Sequence, residues 1–100
     1  MRFCLNRMTE LNSDWTLYLI RTRSDTLYCG ITNNLTRRFN MHKAGKGAKY
    51  LRGKGPLTLV WSHNVESKSQ ALKYEYRIKK MTKASKEALV NQTGSLPSLD

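Results

Sequence analysis

The sequence predicts one small α+β domain, a mixed sheet with helices packed on it in the order β-β-α-β-α-α. Three observations carry this. Trp15, Leu17 and Leu19 alternate with Thr16, Tyr18 and Ile20, the period of two that marks a strand. Capping residues stand before two helix-period runs, at Asn33-Asn34 and at Ser67. One hundred residues allow a single domain with a modest core.

Residues 1–14 lack periodicity and are expected to form a loose N-terminal arm, with Met8 as an alternative start. The domain proper is expected over 15–91. The first strand starts at Trp15, Ser24-Asp25 marks a turn, and Leu27-Tyr28-Cys29-Gly30-Ile31 reads as the return strand. Asn33 or Asn34 caps a helix running to about Lys43, which Gly45 ends. Residues 45–56 read as a basic, glycine-rich loop. Leu57 to His63 follows as a third strand, with Leu57, Leu59 and Trp61 on one face. Ser67 and Gln70 form a capping box for a helix running to about Lys80. Thr82 to Val90 reads as a last short helix, and 92–100 as a flexible tail.

Hairpin parity decides whether Tyr18 and Tyr28 can work together. A two-residue loop at Ser24-Asp25 sends them to opposite faces. An odd-numbered loop, or one bulge, puts them on the same face.

Charge narrows the partner. Eighteen Lys and Arg face seven acids, for a net charge of +11, and no acid lies between Asp25 and Glu66. That stretch holds Arg37, Arg38, Lys43, Lys46, Lys49, Arg52 and Lys54. A one-sign surface attracts a polyanion. A membrane partner would call for a basic amphipathic helix, but Gly45, Gly47, Gly53, Gly55 and Pro56 break helix here, so nucleic acid is the expected partner and a membrane is not. No run reaches the length of a membrane span, and the first residues do not read as a signal peptide. Cys4 and Cys29 show no metal spacing and read as reduced thiols, in keeping with a cytoplasmic protein.

Glu75 stands out among the residues that can carry chemistry. It falls within the stripe Ala71, Leu72, Ile78 and Met81, where a carboxylate is costly unless paired or holding a metal. Arg38 and His42 form an i, i+4 pair on a partly apolar helix face, suited to clamping a phosphate and moving a proton. Arg37 points elsewhere. Tyr18 and Tyr28 are equally good as half-buried strand aromatics. Taken singly, each has an ordinary structural explanation; together Tyr18, Tyr28, Arg38, His42 and Glu75 are expected to reach one sheet face and suggest one phosphodiester-cleaving site. In the loop, Lys46, Lys49, Arg52 and Lys54 are placed to neutralise phosphates, and Tyr50 to stack on a base. The Gly-Lys-Ser/Thr ending of a P-loop is missing.

These residues resemble the GIY-YIG nuclease family. The first motif is degenerate, Thr16-Leu17-Tyr18, and the second is Tyr28-Cys29-Gly30; Asn34-Leu35-Thr36-Arg37-Arg38 and the late Glu75 complete the set. His42 and the loop from Gly45 to Gly53 are most similar to the small standalone bacterial branch of YhbQ-like proteins. The resemblance implies a small three-stranded antiparallel sheet flanked by helices, and metal-dependent endonucleolytic cleavage of DNA, structure-specific in repair or recombination. It implies Tyr18 and Tyr28 near the attacking water, Arg38 on the phosphate, His42 in proton transfer or phosphate binding, and Glu75 holding a single Mg²⁺ or Mn²⁺. Ile31 stands where the excision-repair branch carries a lysine. RNA stays open as a substrate beside DNA, and a repair-protein partner is a further expectation. The alternatives are a nucleic-acid-binding module with little turnover and an adaptor for another repair protein.

Overall fold

The computed structural model describes residues 15–99, so the N-terminal arm and Cys4 lie outside the described residues. Three strands form one antiparallel sheet: β1 (Trp15–Arg21), β2 (Leu27–Thr32) and β3 (Thr58–Val65), in spatial order β2-β1-β3. Three helices join them: α1 (Leu35–Lys43), α2 (Lys68–Lys79) and α3 (Lys83–Val90). The expected element order and antiparallel sheet are both present.

β1 is central and built for burial on both sides. Leu17, Tyr18, Leu19 and Ile20 are all buried. One face of the sheet places Leu17, Leu19 and Cys29 against Ile78 of α2 and Leu89 of α3. The other places Tyr18 and Ile20 against Leu35 and Phe39 of α1 and against Leu51, which anchors a short 3₁₀ turn, Lys49–Leu51, in the long loop. That loop is therefore fastened to the core in its middle.

The hairpin loop spans 22–26, five residues, with Arg21 paired to Leu27. Its odd length pairs Tyr18 with Gly30 and Ile20 with Tyr28, so both tyrosines share a face. Asp25 takes a left-handed conformation at φ 70°, one that aspartate tolerates in turns.

Asn34 is the residue that caps α1, accepting from the Arg37 N–H at 3.1 Å. Ser67 caps α2 in the same way, but the Gln70 side chain accepts from the Glu66 N–H, one residue earlier than in a standard capping box. Thr82 caps α3.

Two facial assignments need correction. Leu57 and Leu59 pack on the Tyr18 face, but Trp61 packs on the Leu19 face. A bulge between Leu19 and Ile20 in the β1–β3 register inserts one residue and reverses the alternation. Leu72 is 48% exposed while Ala71 and Ile78 are fully buried, so the inward stripe of α2 is narrower than its apolar residues suggest. Beyond α3, where a flexible tail is expected, Leu96 packs against the Leu17–Leu89 core and the Ser98 carbonyl accepts from Arg77 at 2.8 Å.

A polar clamp ties the hairpin to α3. Arg21 forks onto both carboxylate oxygens of Glu87 at 2.7 Å and reaches Asp25 at 2.6 Å, while Lys83 meets Glu87 at 2.6 Å. Hydrogen bonds from Arg21 and Lys83 lower the Glu87 carboxyl from 4.5 to about 2. A carboxyl held below its unfolded value stabilises the fold above that value, and the gain is lost as pH falls through the folded one. Thermal midpoints of the wild type should therefore drop between about pH 4.5 and pH 2. Glu87→Gln should start lower at neutral pH and lose less over that window. Parallel curves for the two proteins would remove Glu87 from the acid response.

Candidate active site

Three aromatic rings form the centre. Tyr18 comes from β1, Tyr28 from β2 and His42 from the last turn of α1. The Tyr18–His42 and Tyr28–His42 centroids lie 5.8 and 5.7 Å apart, and the two tyrosine rings 6.4 Å apart. The Tyr18 hydroxyl and His42 Nε2 are hydrogen-bonded at 2.8 Å. Gly30, opposite Tyr18 in the sheet, makes room for the phenol. A Cβ there would lie 2.5 Å from Tyr18 Cζ and closer still to the hydroxyl.

The two tyrosines are not equivalent. Tyr18 is 1% exposed and Tyr28 is half-buried. Burial pushes the Tyr18 phenol up to about 12, against the Arg38 guanidinium, which pulls it down. Burial also raises Tyr28, with Lys79 and Arg38 lowering it and Glu75 raising it. His42 is held below its ordinary range, by burial first and by the Arg38 charge second. It is therefore a neutral imidazole at pH 7.

Arg38, one turn before His42 on α1, is half-buried and has no carboxylate partner among the described residues. It borders a groove of about 310 Å³ that Trp15, Asn33, Arg37 and Met41 also line. Arg37 is exposed, as its helix position predicts.

Glu75 is the exception to a shared face. Its helix, α2, packs on the Leu19 side of the sheet, opposite the rings. Glu75 sits beside edge strand β2, where its charge acts on Tyr28 and raises the buried Cys29 thiol, which burial chiefly holds at about 12. Its side chain is 21% exposed and its partner is Lys79 at 3.5 Å, one turn on. Tyr28 is thus the residue on which the fields of Arg38 and Glu75 meet.

Among the described residues, no cluster of three or more His, Cys, Asp or Glu could hold a metal ion. A dedicated all-protein cage does not fit. One solvent-reachable carboxylate with a long, single ion pair does fit a hard cation that keeps most of its waters, as Mg²⁺ does.

The basic loop lies over the same face. Lys46, Lys49 and Arg52 are exposed. Tyr50, expected to stack on a base, stacks on Tyr28 at 5.9 Å and 18°, its hydroxyl 3.3 Å from Thr26 Oγ1. Lys54 Nζ lies 4.7 Å from the centre of that ring, so both residues have protein partners. Two features escape sequence reasoning: the Ala48 N–H, which donates to His42 Nδ1 at 3.1 Å, and Lys79, whose ammonium lies 5.8 Å from the Tyr28 ring centre. A backbone donor carries no side-chain signature. Lys79 is visible only as the i+4 partner of Glu75.

Comparison with known proteins identifies the family. The chain is 52% identical over 97 residues to UPF0213 protein VC_A0739 of Vibrio cholerae, a match that covers 96% of both chains. It is 53% identical over 85 residues to UPF0213 protein YhbQ of Salmonella arizonae, covering 85% of each. The solution NMR structure of UPF0213 protein BH0048 from Bacillus halodurans is similar at a TM-score of 0.53 and 36% identity, covering 82% of this chain and 87% of that one. Residues 14–88 match the model of the GIY-YIG catalytic domain. With three quarters of its length inside that match and YhbQ among its relatives, the chain belongs to the GIY-YIG family, in its YhbQ-like bacterial group.

Proposed function

We propose that this protein is a metal-dependent endonuclease that hydrolyses DNA phosphodiester bonds. The observation that carries the reading is Tyr28, half-buried, packed on the Tyr18–His42 pair and acted on by the charges of Lys79, Glu75 and Arg38. A guanidinium with no carboxylate partner among the described residues, two phenols, a neutral imidazole and a reachable carboxylate supply what an in-line displacement at phosphorus needs.

Each residue takes a distinct part. Arg38 holds a non-bridging oxygen and stabilises the charge that grows in the transition state. Tyr28, the accessible phenol, orients the attacking water, which releases a proton to bulk solvent as its oxygen bonds to phosphorus, while the departing 3′ oxygen takes a proton from solvent. Tyr18, buried and held at about 12, stays protonated at neutral pH and braces Arg38 and His42. Glu75 would hold a hydrated Mg²⁺ or Mn²⁺, which supplies Lewis-acid stabilisation of the scissile phosphate and the leaving 3′ oxygen. Such hydrolysis leaves a 3′-hydroxyl and a 5′-phosphate. The test is end analysis of products from labelled single-stranded, duplex, flapped and branched DNA, with RNA counterparts. Binding with no products, in Mg²⁺ or in Mn²⁺, would leave a binding module in place of an enzyme. A role in DNA repair would follow from a preference for flapped or branched substrates.

The loop supplies grip in this reading. Reversing Lys46, Lys49 and Arg52 to glutamate should weaken DNA binding and flatten its dependence on salt, by about one unit of log–log slope for each phosphate left without its cation. Fluorescence anisotropy across a salt series measures this. An unchanged slope would place the DNA elsewhere.

A further inference from the structure

We propose that residues 45–48 are a positioning element: the Ala48 N–H fixes His42 in the Nε2–H form, so that His42 acts on Tyr18 as a hydrogen-bond donor. The hydrogen bonds alone determine the tautomer; its catalytic consequence rests on the nuclease reading. His42 is 2% exposed, and its Nδ1 faces the Ala48 N–H at 3.1 Å. A backbone N–H only donates, so Nδ1 must present its lone pair. The single proton of a neutral imidazole then sits on Nε2, 2.8 Å from the Tyr18 oxygen. A doubly protonated ring would aim N–H at N–H. Burial and the Arg38 charge, which disfavour that form, act in the same direction.

The local sequence builds this arrangement. Gly45, at φ 78°, ends α1 in the left-handed region. Its N–H returns to the His42 carbonyl at 3.1 Å, and the Lys46 N–H to that of Met41 at 2.9 Å. The chain then doubles back over the imidazole. Gly47 lies against the ring, where a Cβ would come 2.7 Å from Cε1 and nearer to Nδ1. Ala48 packs against the Tyr18–Ile20–Leu51 cluster, which holds its N–H in place.

The consequence is directional. Nε2 already carries a proton, so it does not take one from Tyr18. His42 instead steadies the phenol oxygen, beside Arg38, and the loop that bears Lys46 also sets the state of the site. Imidazole ¹⁵N spectra of the whole protein test the tautomer without any turnover. The expected result is a protonated Nε2 and an unprotonated Nδ1 for His42; the opposite pattern overturns the proposal. Gly47→Ala should shift the His42 ring signals, and an unchanged spectrum would remove the loop from its control. In cleavage assays His42→Gln, which keeps a donor near Nε2, should exceed His42→Leu by about tenfold or more. Equal loss in both variants, with the tautomer as expected, would refute the donor role.

Discussion

Glu75→Gln should abolish metal-dependent cleavage while leaving the fold and DNA binding in place. The substitution keeps size and hydrogen bonding and removes one negative charge. Among the described residues its ion pair is with Lys79, a long contact at 3.5 Å to an ammonium that is half exposed. Such pairs contribute about 0–1 kcal/mol, so the thermal midpoint should hardly move. The carboxylate is a hard oxygen donor whose charge reaches Tyr28, so in the proposed mechanism its loss would remove metal-assisted stabilisation of the transition state. A loss of about three orders of magnitude in single-turnover rate is expected. DNA affinity, measured in parallel, should stay level or rise slightly because repulsion falls. Cleavage at the wild-type rate would remove Glu75 from the mechanism.

Arg38→Ala should lower kcat by about 10²–10³. A half-buried guanidinium normally finds a carboxylate, and Arg38 has none among the described residues. Its charge acts on the Tyr18 and Tyr28 phenols and on the His42 imidazole. The guanidinium is thus available for a phosphate oxygen. Arg38→Lys should recover only part of the rate, since an ammonium lacks the planar fork. A second readout needs no substrate. The Arg38 charge lowers the His42 pKa, so Arg38→Ala should raise it, with burial still holding it below the ordinary value. NMR titration of His42 reads this directly. A fall in affinity with kcat intact would recast Arg38 as a binding residue.

Much of the fold is legible in the sequence because its signals are local. The β1 alternation, the Asn34 and Ser67 caps and the Gly45 stop each depend on a few neighbouring residues. The parity condition on Tyr18 and Tyr28 follows from strand geometry, and the five-residue hairpin loop meets it. Features set by partners distant in sequence are not legible. The bulge that turns Trp61 away from Leu59 arises in the pairing of β1 with β3, about forty residues apart. Leu72 and Ala71 both look apolar, but only Ala71 is buried. The site shows the same division. Its residue types are readable, but the location of Glu75 on the opposite side of the sheet, and the Ala48 N–H on His42, depend on how loop and helices close over the strands.

Single-turnover cleavage by wild-type protein, on a panel of labelled DNA structures with Mg²⁺ and then with a chelator, tests the central claim most directly. A metal-dependent nuclease should cleave at least one substrate with Mg²⁺, lose that cleavage on chelation and regain it when the metal is restored. DNA binding that is intact and salt-sensitive, with no metal-dependent cleavage of any substrate, would contradict it.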